Sequence, residues 1–193
     1  MVVILGFLAG LVLVAPVGPV ALTLFGLGAA QGRRAAIAGA GGVVLADLII
    51  MPMALSGAGF LGSLDQGVVH RLEVFMGMAL VMLAMVTILH AERTQDALGA
   101  IRHPTRALAA MTLLNPLSIV AWTGLALALP PSIRAPAALT AFGIGVVLAS
   151  AVWHTGLAAA SGSFAPRLGR RPRTVLTQLS GLVLLFVGGV LVV

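Results

Sequence analysis

The chain has 193 residues, of which 60% are hydrophobic and 8% charged, and its mean hydropathy is +1.15. A soluble domain carries charge on about a quarter of its residues, so the composition excludes that class and describes an integral membrane protein. The net charge of +6 comes from arginine without lysine; the arginines lie between hydrophobic runs rather than along one face, which argues against nucleic acid as a partner, and the lack of cysteine excludes disulfides and thiolate metal sites.

A helix needs about 20 apolar residues to cross roughly 30 Å of hydrocarbon, and six segments qualify. The first runs from about Val2 to Ala30. It has no positive n-region and is too long for a signal-peptide core, so it reads as a retained span. Inside it stands PVGPVALT, residues Pro16 to Thr23, where Pro16 and Pro19 are expected to open about one turn of helix, since each lacks a donor and clashes with the carbonyl four residues back. Gly6 and Gly10 form a G-x-x-x-G pair suited to close helix packing.

Arg33 and Arg34 precede the second span, about Ala35 to Leu61, which opens with the crowded Gly39, Gly41 and Gly42 and carries Asp47 in GVVLADLII. An aspartate at a helix centre costs about 2.5 to 3.5 kcal/mol on insertion scales. Asp47 lies about 20 Å along the helix from Arg34, near mid-depth. It is a candidate to accept a substrate ammonium or to carry a coupling proton; the plainer reading is a hydrogen-bonded acid that ties helices together. In the third span, about Val74 to Ala91, Met78, Met82 and Met85 share one side. Without cysteine or histidine beside them they read as packing or lipid contact rather than a soft-metal pathway.

A linker of about residues 92–106 carries Arg93, Arg102 and Arg106. The fourth span, about Ala107 to Leu129, contains Asn115 and Pro116, and a second helix opening is expected there. Both openings fall near the midplane, where irregular backbone is tolerated only if buried in protein or lining a watery cavity. A simple proline kink explains either one alone. The fifth span, about Ala137 to Ala160, holds Ser150 and, one turn on, Trp153 and His154. His154 is a candidate partner of Asp47 in a proton relay, because histidine ordinarily titrates near neutrality; an interfacial position explains it equally well. Arg167, Arg170, Arg171 and Arg173 precede the sixth span, about Val175 to Val193. The arginine-bearing loops are assigned to the cytoplasm and both termini to the outside, since the alternate loops hold only Arg71 and Arg134.

The two halves resemble each other. Pro16 to Thr23 (PVGPVALT) matches Pro116 to Thr123 (PLSIVAWT), Gly42 to Ala46 (GVVLA) recurs as Gly145 to Ala149, and Leu72 to Gly77 is a weaker match to Leu176 to Gly181, at offsets of 100, 103 and 104. Each unit holds three spans, an odd number, so the second enters the membrane from the opposite side. The expected fold is an all-α membrane protein of six helices as two inverted three-helix repeats, about residues 1–92 and 105–193, with helices one and four broken. Such repeats are frequent in secondary transporters, where half-helix N-termini face an anionic group of the substrate.

The broken first helix, the following G-R-R, the aspartate in span two, L-L-N-P in span four and the final S-G-L-x-L-L helix together resemble the LysE/RhtB family of bacterial amino-acid exporters. The resemblance runs through nearly the whole chain. It implies a multi-pass protein of the bacterial cytoplasmic membrane, not an enzyme and without a cofactor or resident metal, that exports amino acids or small derivatives driven by the membrane gradient; alternating access coupled to proton influx is the mechanism expected beside it. It makes Pro16, Gly18 and Pro19 the first-helix motif, Asp47 the span-two acid, and Asn115 with Pro116 the matching fourth-helix motif; Asp47 and His154 are candidate proton-coupling residues from their own chemistry. The chain departs from the family at Val17, which gives P-V-G-P, and at His154 and Thr155. Exposed glycine faces suit a homodimer. Two other classes stand beside this reading: a metal-cation exporter of the wider superfamily, using Asp47, Asn115 and opened carbonyls as oxygen ligands, and an intramembrane enzyme, for which no nucleophile with base, paired aspartate or H-E-x-x-H is present.

Overall fold

Proline and glycine punctuate the chain into helices. The computed structural model describes residues 1–15, 18–61, 65–164 and 169–192. Helix α1 spans Val2–Val14 and α2 spans Pro19–Gln31; Gly18 caps α2 in an extended conformation and Pro19 occupies its first turn, where a missing N–H is no loss. Gly32 then adopts φ 84°, a left-handed turn that glycine makes without strain, and α3 (Arg33–Leu61) starts at the next residue. Asp65 accepts from the Gly67 N–H at 2.8 Å and so caps α4 (Gln66–Leu89). A short amphipathic helix, α5 (Ala91–Gly99), follows directly. Helix α6 (Pro104–Leu113) again has proline in its first turn, and α7 (Pro116–Leu127) begins two residues beyond Leu114. A single 3-10 turn at Pro131–Ile133 leads to α8 (Pro136–Phe164), and α9 (Arg170–Val192) closes the described chain.

The first apolar run is thus divided into α1 and α2 and the fourth into α6 and α7. Three expectations from sequence are revised. Helix α4 starts at Gln66 rather than near Val74, because Asp65 caps it and its first two turns are polar. The linker of residues 92–106 contains α5, and Arg170, Arg171 and Arg173 lie in the first turn of α9 rather than in a loop. Among the described residues no strand is present, and α3 and α8 are each long and apolar enough to cross a membrane, whereas α1, α2 and α4 present shorter apolar stretches.

Helices α3 and α8 have 29 residues each, about 44 Å of helix. They pack together at the centre of the molecule. Helix α1 lies along α8, and α6 lies along α3. Small residues permit these approaches: a Cβ on Gly42 would strike the Thr105 carbonyl of α6, and a Cβ on Gly145 would strike the Val3 carbonyl and come within 2.7 Å of the Phe7 nitrogen of α1. Helices α4 and α9 form a second pair, with Gly188 against Gly77 and Leu80 and Gly181 against Ala84 and Ile88, and touch the rest chiefly through α2, α5 and α7. Met78, Met82 and Met85 are exposed on α4.

Two apolar clusters flank the middle of the α3–α8 pair. One joins Leu24, Leu27, Ala36, Ala40, Val43, Leu108 and Ala158; the other joins Ile50, Met51, Ala54, Trp122, Phe142 and Val146. Between them, α3 and α8 carry Asp47, Ser150 and His154, all buried. A polar layer therefore separates two apolar ones.

Candidate functional site

Asp47 and Ser150 each lie fourteen residues from either end of their helices, α3 and α8. The two are buried, with 3% and 0% of their surface exposed, and they meet. Ser150 Oγ donates to Asp47 Oδ2 at 2.5 Å, while Trp122 Nε1, from α7, donates to Asp47 Oδ1 at 3.2 Å. Both carboxylate oxygens are therefore engaged by protein donors, as a buried acid requires. His154, one turn further along α8, has Nδ1 at 3.1 Å from Ser150 Oγ and 3.0 Å from the Ser150 carbonyl oxygen. A carbonyl only accepts, so this pattern assigns a proton to Nδ1.

The helix openings flank this cluster. Helix α6 ends at Leu113, the Asn115 N–H reaches back to the Thr112 carbonyl at 3.2 Å, and the Asn115 carbonyl accepts from Ser118 and Ile119 as α7 begins. Asn115 Nδ2 donates to Ser118 Oγ at 3.1 Å, and Thr112 Oγ1 returns to the Leu108 carbonyl. On the other side, α2 begins at Gly18 and Pro19. The first N–H groups of a helix have no intrahelical acceptor and carry the positive end of its dipole.

One cavity of about 90 Å³ collects these parts. Its walls include Gly18, Val20 and Ala21 of the α2 start, Val43 and Asp47 of α3, Thr112 of α6, Asn115, Ser118 and Trp122 around the start of α7, and His154 of α8. A single water needs roughly 10 to 15 Å³ of such space, so the cavity has room for a small polar group with its hydration. Among the described residues its titratable lining is Asp47 and His154.

Of the residues singled out from sequence, Gly18, Asp47, Asn115 and His154 share the cavity wall. Pro19 and Pro116 start α2 and α7 at its edge. Pro16 lies outside the described residues. Sequence reasoning missed Trp122 as a partner of Asp47, although Asn115, Ser118 and Trp122 recur at helical spacing and so mark one face of α7. Ser150 was visible only as the uncharged counterpart of Asp47 in the second half; the two counterparts hydrogen-bond to each other.

A profile of the LysE type translocator family matches residues 11–193, nearly the whole chain. No curated protein and no solved structure matches it.

Proposed function

The chain belongs to the LysE type translocator family, a membrane-embedded family of transporters rather than enzymes, and from that premise we propose a secondary active exporter of amino acids or small amino-acid derivatives, coupled to proton influx across the bacterial cytoplasmic membrane. The observation that carries the reading is the convergence of both helix openings, Asp47 and His154 on one cavity. A zwitterion offers a carboxylate, for which the N–H groups of Val20 and Ala21 in the first turn of α2 and the Asn115 side-chain amide, all on the cavity wall, are suited donors. Asp47 is held at both oxygens by Trp122 and Ser150, which favours proton carriage over direct capture of the ammonium.

In this reading α1 with α2, α3, α4, α6 with α7, α8 and α9 make six crossings as two inverted repeats, with both termini outside. The packing supports it through paired contacts: Gly42 against Thr105 and Ala109, and Gly145, its counterpart 103 residues on, against Val3 and Phe7. Counterparts touch each other only near a symmetry axis, and Asp47 and Ser150 do so. Transport proceeds by alternating access, the cavity opening to one side at a time. The metal-cation reading stands second, since the cavity offers one carboxylate and one imidazole where a divalent ion prefers several oxygens.

Counterflow in proteoliposomes with a panel of radiolabelled amino acids, with and without an imposed pH gradient, tests the proposal. Uptake of one or more amino acids that responds to the gradient supports it. Folded protein silent across the panel refutes it.

A further inference from the structure

Asp47 and His154 were expected to act together, yet the hydrogen bonds of each run to a third residue. Ser150 Oγ lies 2.5 Å from Asp47 Oδ2 and 3.1 Å from His154 Nδ1. We infer that Ser150 is the positioning residue through which a proton passes between Asp47 and His154, an inference that rests on the proton-coupled exporter reading above.

Three observations carry it. A hydroxyl both donates and accepts, whereas the other partner of Asp47, the Trp122 indole, only donates and cannot pass a proton on. Ser150 has no exposed surface, so its hydroxyl exchanges its proton with the two side chains it touches, Asp47 and His154, rather than with solvent. The Ser150 backbone carbonyl, 3.0 Å from His154 Nδ1, fixes the imidazole with that nitrogen toward the hydroxyl. Helices α1, α2, α6 and α7 bring no titratable side chain to the cavity among the described residues; their polar groups there are Thr112, Asn115, Ser118 and Trp122. The relay is therefore a three-member chain across the α3–α8 crossing.

The transfer balances. Asp47 as the carboxylic acid donates from Oδ2 to Ser150 Oγ while the hydroxyl proton moves to His154 Nδ1. Asp47 becomes a carboxylate, Ser150 regains its hydroxyl, and His154 passes from the neutral form protonated on Nε2 to imidazolium. The observed arrangement matches the product side, with a carboxylate receiving from Ser150 and Nδ1 donating to the carbonyl. Release of the Nε2 proton to water in the cavity leaves His154 neutral with its proton on Nδ1, and a shift of that proton to Nε2 restores the form that accepts the next one. In the orientation set by the arginine loops, His154 lies one turn nearer the cytoplasm than Ser150, so this direction is influx.

The test compares wild type, Ser150→Ala, Ser150→Thr and His154→Gln in proteoliposomes, reading gradient-free counterflow and proton flux linked to export separately. Ser150→Ala is expected to lose about tenfold or more of the proton-linked export, a larger factor than it loses of gradient-free counterflow. Ser150→Thr, which keeps the hydroxyl, restores that export, and His154→Gln reproduces the loss. Undiminished proton-linked export in Ser150→Ala overturns the inference. If Ser150→Ala does not fold, undiminished proton-linked export in His154→Gln overturns it equally. A wild type that exchanges substrate but ignores the gradient refutes proton coupling itself, a different failure.

Discussion

Asp47→Asn removes the charge at the centre of the molecule while keeping its shape. In the wild type, Asp47 Oδ1 accepts from Trp122 and Oδ2 accepts from Ser150. An amide has one acceptor oxygen and one donor nitrogen. Trp122 can only donate, so the amide oxygen must face the indole, and the nitrogen must face Ser150 Oγ, which is able to accept. The substitution thus turns two charge-assisted bonds into neutral ones, a loss of about 2 to 3 kcal/mol together, and recovers the insertion cost of a buried carboxylate, about 2.5 to 3.5 kcal/mol. The two nearly cancel, so the variant should unfold within about 1 kcal/mol of wild type. Asp47→Leu also removes the charge but strands the Trp122 and Ser150 donors, at about 1 to 3 kcal/mol each.

Unfolding in detergent, followed by tryptophan fluorescence, reads the stability, and proteoliposome counterflow with an imposed pH gradient reads the function. Asp47→Asn is expected to exchange substrate without a gradient and to lose gradient-driven export by about a hundredfold. A variant that is as stable as wild type and still responds fully to the gradient would falsify the role assigned to the carboxylate. One that is destabilised by several kcal/mol would instead show that the acid serves mainly to tie α3 to α7 and α8.

Gly42→Ala and Gly145→Ala push a methyl group into backbone of α6 and α1 respectively, and each should destabilise by about 1 to 3 kcal/mol. Gly41→Ala, where no atom lies within 4 Å, is the control; equal melting of all three in detergent would contradict the packing. Gln31 Nε2 donates to the carbonyls of Leu98 at 2.8 Å and Ile101 at 2.9 Å at the end of α5. In Gln31→Ala the amides of α5 should exchange with deuterium about tenfold faster than in wild type, and unchanged exchange would mean that the buried Leu98 holds α5 by itself. The chain has no cysteine, so introduced pairs report cleanly on motion. A cross-link between α1 and α8 should leave transport intact, whereas one between α4 and α7 should abolish it; the opposite pattern would refute the division into moving bodies argued below.

What the sequence revealed were features with local causes. Proline at residues 19 and 116 interrupts an apolar run and starts a new helix, arginine pairs mark the ends of apolar runs, and an aspartate amid GVVLADLII is conspicuous by its charge. Features decided by packing were hidden. Helix α5 reads as a polar linker because its apolar contribution is small, Ala91 and Leu98, and only the tertiary contact of Leu98 with the notch at Gly26 and the Gln31 bonds make it a helix worth burying. The start of α4 was missed because polar residues outnumber apolar ones in QGVVHRLE, and its cap at Asp65 resembles any loop aspartate. Trp122 and Ser150 became legible as site residues only once the rotation of α7 and α8 about their axes was known.

Repeats in sequence need not be the bodies that move. If residues 1–92 rocked against residues 105–193, α1 would travel with α3 and α6 with α8. The packing is arranged otherwise: α1 is seated along α8, and α6 along α3, through glycines at which a single added carbon already meets backbone. Contacts with so little slack resist sliding, so α1 is expected to travel with α8 and α6 with α3. Helices α1, α3, α6 and α8 then act as one interlocked core around the Asp47–Ser150 crossing. The α4–α9 pair, joined to it mainly through α2, α5 and α7, is the body expected to move against it in the proposed transport cycle. The second halves of the broken helices, α2 and α7, join both bodies and begin at the cavity edge. A tilt of the outer pair would reach the cavity through the starts of α2 and α7, the two places where Pro19 and Pro116 have already released the backbone from the helix before it.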